Sequence, residues 1–242
     1  MSYRDDKDLE FLMEVPSSDL NALVEVLTIN KDGIEHFTEE LTEAEVFQKY
    51  HPDHHEYWAL IAAEIQCYGG NTFANLLRGG EGVVYNELLR DACDKLKVNY
   101  NKDASIEIIE MNLMMKILID SLEKMSPEEL KDIAADLKIK TTNFTAQALT
   151  IALQGAIKFG GFLSYQVALI VANAVARAIL GHGLRVGTNA ALARSIGIFA
   201  GPIGWVLTGL WTVVDIAGPA YRITIPAVIQ VGFLRAKLNH DK

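Results

Sequence analysis

The residues with the most evident potential for chemistry form one short run, His51-Pro52-Asp53-His54-His55-Glu56. Imidazole and carboxylate groups are the usual protein ligands of zinc, and His51 and His55 could approach each other if the intervening proline begins a helix. The run lacks an HExxH pattern, so a third ligand would have to come from elsewhere in the chain. The alternative is an exposed helix start, where Asp53 and Glu56 are favoured by the positive end of the helix dipole. The sequence favours the helix start and predicts no bound metal or cofactor.

Two glycine-containing runs have spacings that occur at anion sites. Gly181-His182-Gly183-Leu184-Arg185-Val186-Gly187 matches the GxGxxxG spacing of some dinucleotide-binding turns, but an alanine-rich helical pattern precedes it where such a turn needs a strand. The run Arg78-Gly79-Gly80-Glu81-Gly82 could cradle an anion through backbone N–H groups. Turns or close packing explain both runs more simply. GxSxG, P-loop and CxxC patterns are missing, so the sequence predicts no nucleophile.

The chain that must position these residues divides into an acidic and a basic part. It has 242 residues, 50% of them hydrophobic, and a net charge of −9. Residues 1–140 have a net charge of −15, whereas residues 141–242 have a net charge of +6. The hydrophobic content excludes a disordered or fibrous chain, and the acidic balance argues against general nucleic-acid binding. The asymmetry predicts two parts with different surroundings.

Hydrophobic periodicity, capping residues and helix breakers predict helices throughout the acidic part. The predicted helices cover residues 5–14, 17 or 18 to 27, 41–50, 53 or 54 to 68, 84–96, 106–125 and 127–137. The last begins at Ser126-Pro127-Glu128-Glu129, with proline in the first turn and carboxylates at the positive helix end. No segment of this part alternates as a strand would. We therefore expect an all-α fold, in which an acidic multi-helix domain precedes a Gly/Ala-rich apolar helical module.

The basic part contains two long stretches without a charged residue, Phe159 to Ala176 and Ser195 to Val214. By length either could cross a bilayer. If the two stretches formed a membrane-spanning hairpin, positive charges would lie on both sides of the membrane, so the sequence gives no preferred orientation. Pro202 also makes the second stretch a poor straight span. A half-inserted or surface-bound layer near anionic lipid is a second alternative, and an ordinary buried helical core is a third. The sequence leaves these three alternatives open.

The cysteines and the N-terminus favour a cytoplasmic location. Cys67 and Cys93 are too few for a disulfide framework and lie in apolar helical contexts, which indicates a reducing compartment. Residues 1–10 are acidic and lack the apolar core of a secretory signal. We expect a cytoplasmic protein, with association with the inner membrane left open.

Several motifs resemble those of the YaaW family of bacterial proteins. These motifs are Trp58–Gln66, Gly69-Gly70-Asn71, Leu77-Arg78-Gly79, Gly181-His182-Gly183-Leu184 and Ala220–Val228. The opening residues Tyr3–Leu12 resemble a short helical domain of unknown function found at the start of many such proteins. The middle segment of the family is grouped with ubiquinol–cytochrome c chaperones, which assist assembly of a membrane-embedded respiratory subunit. The resemblance implies a short acidic helical domain at 1–40, a chaperone-like helical domain at 41–140 and an apolar basic helical module at 141–242.

The functional expectation is a non-enzymatic binding or assembly-type protein that acts at or near a membrane on an apolar partner. That partner would be a protein, and a membrane protein is one candidate. An anionic lipid surface is a further candidate for binding, and the oligomeric state stays open. The residues expected to form the recognition surface are Trp58, Gly69, Gly70, Asn71, Arg78 and Gly79. Arg78 would contact an anion or carboxylate. The alternatives are a membrane-inserting, permeabilising effector and a metal-dependent enzyme built on the His51–His55 cluster.

Overall fold

A computed structural model describes most of the chain. The described residues are 3–28, 40–68, 82–157, 161–185, 196–199, 201–209 and 221–242. All of the secondary structure that these residues form is helical, which confirms the predicted all-α class. The helices are α1 (Ser17–Thr28), α2 (Glu40–Glu43), α3 (Glu45–Tyr50), α4 (Trp58–Tyr68), α5 (Tyr85–Lys95), α6 (Ile106–Leu122), α7 (Pro127–Asp136), α8 (Ala146–Ile157), α9 (Phe162–Leu180) and α10 (Tyr221–Asp241). Residues 196–199 and 201–209 are also helical.

The predicted and observed helices differ at three places in the first 57 residues. The helix predicted for residues 5–14 is only a 310 turn at Glu10–Glu14. The carboxylate of Asp6 is instead committed to distant partners, since it accepts a 2.6 Å bond from the backbone N–H of Tyr85 at the start of α5. A second 310 turn, His54–Tyr57, precedes α4. The predicted helix at 41–50 is split at Ala44, whose backbone is extended.

Helical periodicity explains the packing of the acidic part. Helix α5 buries one face, made by Tyr85, Leu88, Leu89, Ala92 and Cys93. This spacing repeats every three or four residues, so the side chains form one stripe toward the core. Helix α6 buries a similar stripe that includes one acid, Glu110. The core therefore receives a carboxylate at a position that the hydrophobic periodicity assigns to an apolar side chain.

The C-terminal helix α10 lies at the centre of the molecule. It packs against α9, α1, α6, α5 and α4, and every residue from Ile223 to Arg235 is buried. Gly232 permits close approach to α6, because a Cβ atom there would lie 2.6 Å from the Met114 side chain. Helices from the acidic and the basic parts thus share one continuous core.

Helix α9 is the one helix in the described part of the chain that is long and apolar enough to cross a membrane. Of its most apolar 18-residue window, 72% is buried inside the protein. A core helix of a soluble protein has the same length and composition, so this finding is weak evidence for a span. Only residues 196–199 and 201–209 of the second uncharged stretch are described.

Candidate binding groove

A buried ion pair joins α6 to α10. The Nε atom of Arg235 donates to both carboxylate oxygens of Glu110, at 3.2 and 3.0 Å. Both side chains are buried, with side-chain exposures of 10% for Arg235 and 4% for Glu110. A buried ion pair needs further hydrogen bonds to offset the loss of hydration. The surrounding residues supply them.

Two further segments, α5 and the N-terminal segment, contact this ion pair. The Tyr85 hydroxyl on α5 donates a 2.7 Å bond to Glu110, and the Arg235 Nη2 atom donates a 2.5 Å bond to the backbone carbonyl of Asp8. The Arg235 guanidinium also lies 4.1 Å from the ring centre of Phe11, within the range of a cation–π interaction. The network therefore ties the N-terminal segment, α5, α6 and α10 together.

Burial and the neighbouring charges shift the pKa values of Glu110, Tyr85 and Arg235. It raises the pKa of Glu110 above its ordinary value, although Arg235 and the Tyr85 bond counteract part of that effect. Burial and the nearby Glu110 raise the pKa of Tyr85 well above its ordinary value. Burial lowers the pKa of Arg235, but the charge of Glu110, the nearby Tyr85 and the hydrogen bonds to Glu110 together raise it above its ordinary value. Tyr85 therefore stays a neutral donor and Arg235 a cation at neutral pH.

A groove of about 880 Å³ lies next to the ion pair, and both Glu110 and Arg235 line it. One wall is α6, and the other walls are the end of α8, the start of α9 and the end of α10. Three methionines on α6 line the groove, at positions 111, 114 and 115. Methionine is unbranched and polarizable, so a groove lined with it can adapt to apolar ligands of different shape.

Exposed apolar and aromatic groups extend the groove toward solvent. Ile108 lines the groove and is 54% exposed. The rings of Tyr165 and His240 stack with their centres 4.8 Å apart, and both also line it. Phe162 lies beside His240, with ring centres 5.2 Å apart. An apolar ligand that entered the groove would remove this surface from water, which is favourable.

The run His51–Glu56, which the metal-dependent alternative uses, has a structural role at His54. His54 is buried and lies between two partners, the Tyr57 hydroxyl at 2.5 Å and the Asn21 Oδ1 atom of α1 at 2.7 Å. Burial, with a smaller contribution from His51, lowers the pKa of His54 to about 4. Neutral His54 can donate to Asn21 from Nε2 and accept from Tyr57 at Nδ1. Its two ring nitrogens are therefore occupied in fastening the His54–Tyr57 turn to α1.

Two further residues of that run, Asp53 and His55, form hydrogen bonds with Ser17. Ser17 donates a hydrogen bond to Asp53 and accepts one from the backbone N–H of His55, at 3.0 Å for the latter. Across the parts of the chain that the structure describes, no group of three or more His, Cys, Asp and Glu side chains is placed to hold a metal ion. Nothing in this arrangement favours the metal-dependent alternative.

The predicted recognition surface is only partly described. Trp58 begins α4, is half-buried against the core and makes an edge-to-face contact with Tyr3, with ring centres 5.4 Å apart. Gly69, Gly70, Asn71, Arg78 and Gly79 lie outside the described residues. This surface stays a prediction.

The glycine run at 181–187 begins at the end of a helix. Gly181 follows α9 in the left-handed conformation with φ of +78°, which is a common helix end for glycine. The Asn173 Oδ1 atom accepts a 2.9 Å bond from the backbone N–H of Leu184. A Cβ atom at Gly183 would lie 2.4 Å from that same oxygen, so close packing accounts for the second glycine.

The groove and its ion pair were not predicted from the sequence. One signal was present: Glu110 interrupts the apolar stripe of α6, and Arg235 interrupts the apolar run of α10. Charged residues are almost never fully buried unless paired, so two such interruptions suggest a buried pair. Their pairing could not be read from the sequence because 125 residues separate them.

Comparison with known proteins identifies the class to which this chain belongs. A family model described as ubiquinol-cytochrome C chaperone matches residues 53–229, and a domain of unknown function (DUF3944) matches residues 3–35. The chain is therefore a member of the ubiquinol-cytochrome C chaperone family. No solved structure gave a significant match.

Relatives from two bacteria define the family more narrowly. A UPF0174 protein of Helicobacter pylori is 50% identical over 100% of this chain and 97% of its own length. A second Helicobacter pylori UPF0174 protein is 46% identical over 84% of this chain and 99% of its own length. The UPF0174 protein YaaW of Escherichia coli is 32% identical over 99% of this chain and 98% of its own length. The chain belongs to the UPF0174 (YaaW) family, which confirms the resemblance noted in its sequence.

Proposed function

We propose that this protein is a non-enzymatic, chaperone-like binding protein that takes an apolar helical segment of a partner protein into the groove. The observation that carries the proposal is the 880 Å³ groove with its methionines and its exposed Ile108. Membership of a family described as chaperones supports a protein partner. Fold and family alone do not define a function, so the groove supplies the site-level argument.

The shape and chemistry of the groove suit a helix. Its walls are themselves helices, and an amphipathic helix commonly binds by placing its apolar face in such a groove. Adaptable methionine side chains favour binding of related apolar segments over one fixed sequence. An assembly factor that holds several apolar segments in turn would need this property.

We also propose that the protein acts in the cytoplasm, at or near the inner membrane. Trp205 is 78% exposed on the helical residues 201–209, which carry no charged side chain. Tryptophan is enriched where protein meets the membrane interface. The net charge of +6 on residues 141–242 would favour an anionic lipid surface. A peripheral contact of this kind is compatible with a partner that is a membrane protein.

A second contact with the partner is proposed at Trp58 and the motifs that follow it. This surface would comprise Trp58, Gly69, Gly70, Asn71, Arg78 and Gly79. Replacing Arg78 with alanine tests it directly. Unchanged partner binding by Arg78→Ala would rule out Arg78 as the anion contact.

The two alternatives have less support. A permeabilising effector needs helices that leave the protein for lipid, whereas α9 has most of its apolar length buried in the core. A metal-dependent enzyme needs ligands, whereas both ring nitrogens of His54 are bonded to Tyr57 and Asn21. We therefore favour a binding protein over either alternative.

A labelled model helix tests the proposed groove. The probe is a fluorescent synthetic helix of leucine and alanine with glycine–serine flanks, and fluorescence anisotropy measures its dissociation constant. Ile108→Glu places a charge in the groove and is expected to weaken binding about tenfold, because burial of an isoleucine stabilises by about 1.5–3 kcal/mol. Ile151→Glu is the matched control, since Ile151 is 64% exposed and lies outside the groove lining.

The control variant should bind within about twofold of the wild type. Thermal unfolding of both variants checks that each is folded. A peptide that fails to bind the wild type, or that loses equal affinity in both variants, would contradict the groove assignment.

A further inference from the structure

The charged residues that line the groove do not all have an ion-pair partner. The Arg235 guanidinium is paired with Glu110, and the Lys116 ammonium is paired with Asp120 one turn along α6. Glu107 also lines the groove and is exposed, and it makes no ion pair within the described residues. Arg235 and Lys116 thus each have an ion-pair partner, whereas Glu107 has none among the described residues.

From this imbalance we infer that the apolar segment bound in the groove carries Lys or Arg next to its apolar stretch. The inference rests on the proposed function and specifies the chemistry of the partner. A basic side chain beside the bound helix would pair with Glu107. An acidic side chain at the same place would meet an unpaired carboxylate, and like charges held close together oppose binding.

Glu107 is held in its charged form. Partial burial alone would raise the pKa of Glu107, but hydrogen bonds from its own backbone N–H and from Ser105 lower it, and the Arg235 charge adds to this effect. Glu107 also lies in the first turn of α6, where the helix dipole favours a negative charge. It therefore offers a carboxylate to a ligand at neutral pH.

The wider charge distribution acts in the same direction. The whole chain has a net charge of −9. Surface charge of one sign raises the local concentration of ligands of the opposite sign and speeds their association. A segment with basic flanks is therefore favoured both at Glu107 and during approach to the groove.

Three peptides with the same apolar core separate this inference from the proposed function. Their flanks are lysine, glutamate or glycine–serine, and anisotropy is measured with the full-length protein at about 0.01 M and about 0.15 M salt. The lysine-flanked peptide is expected to bind about fivefold to tenfold tighter than the glutamate-flanked peptide at low salt. That advantage should shrink at the higher salt, because screening weakens exposed charge pairs.

Two isosteric variants locate the effect. Glu107→Gln should remove most of the preference for lysine flanks, and Glu123→Gln, a matched change just beyond the other end of α6 and outside the groove lining, should keep it. Equal loss of preference in both variants would overturn the assignment to Glu107. Thermal unfolding of each variant confirms that it is folded.

The remaining outcomes are also decisive. Equal affinity for all three peptides would overturn the inference and leave the groove assignment standing. Absence of binding by every peptide would overturn both. Peptide affinity that falls as protein concentration rises would show that a second copy of the chain occupies the groove, and would overturn the assignment to a partner helix.

Discussion

Two buried polar clusters hold distant parts of this chain together, and they differ in charge. In the first, Arg235 and Glu110 form an ion pair between α10 and α6, 125 residues apart. In the second, neutral His54 connects the His54–Tyr57 turn to Asn21 on α1, 33 residues away. The first cluster borders the groove, and the second lies in the acidic part of the chain.

The difference in charge means that the two clusters should fail in different ways. Removal of one member of a buried ion pair leaves the other charge without its partner in a medium of low polarity. Loss of a partner of the neutral His54 imidazole leaves no unpaired charge, but the imidazole must stay neutral to keep its hydrogen bonds. The charged cluster is therefore the more sensitive to removal of one member, whereas the neutral cluster requires His54 to stay uncharged.

The largest effect is expected for Arg235→Ala. This variant leaves Glu110 buried without its cation and leaves the Asp8 carbonyl without its donor. It should lower the free energy of unfolding by about 3–5 kcal/mol. For a chain of this length that corresponds to a decrease in Tm of roughly 10 °C, measured by thermal unfolding.

A double variant distinguishes a lost ion pair from lost packing. Glu110→Leu combined with Arg235→Met replaces both charges with apolar side chains of similar volume, so no charge is left unpaired. It should be more stable than Arg235→Ala alone. A double variant that is as unstable as the single one would show that the charge of Glu110 does not cause the loss.

The second prediction concerns the pH dependence that His54 confers. Its pKa in the folded protein is about 4, whereas an unfolded histidine titrates near 6.5. Between these values the unfolded chain binds more protons, so the free energy of unfolding falls as the pH is lowered from about 6.5 toward 4. The loss should reach at most about 3.5 kcal/mol, since one pKa unit corresponds to about 1.4 kcal/mol.

Matched histidine variants isolate this contribution. Urea unfolding at pH 7 and pH 5 should show a smaller pH dependence for His54→Gln than for the wild type. His55→Gln should keep the wild-type dependence, because the His55 side chain is exposed and only its backbone N–H is bonded to Ser17. An unchanged pH dependence in His54→Gln would mean that other groups cause it.

The features that were predicted correctly from the sequence depend on residues that lie close together along the chain. The periodic stripe of α5 and the family motifs are local patterns, and both the helix and the family were predicted correctly. Capping chemistry is similarly local. The boundaries of the predicted domains at 1–40, 41–140 and 141–242 stay a prediction, although α10 packs against helices from the first 140 residues.

Features that depend on distant residues were not predicted. The metal hypothesis for His54 followed from residue types alone, and it could not include Asn21, which lies on another helix and takes one of the ring nitrogens. The groove needs four helices in contact, and no local pattern encodes their arrangement. The two polar clusters thus show the same limit, since each is formed by residues that only the tertiary fold brings together.

The smallest expected effect comes from the start of α7, which the sequence predicted at Ser126. Ser126 accepts a 3.3 Å bond from the backbone N–H of Glu129, and the Glu129 carboxylate accepts a 2.8 Å bond from the backbone N–H of Ser126. Ser126→Ala removes one half of this capping box and should cost about 1 kcal/mol of unfolding free energy. Because the box is exposed and holds no buried charge, the loss should be well below that of Arg235→Ala and independent of pH between 5 and 7. Urea unfolding at both values measures it, and a loss equal to that of Arg235→Ala would contradict the view that buried long-range clusters dominate the stability of this fold.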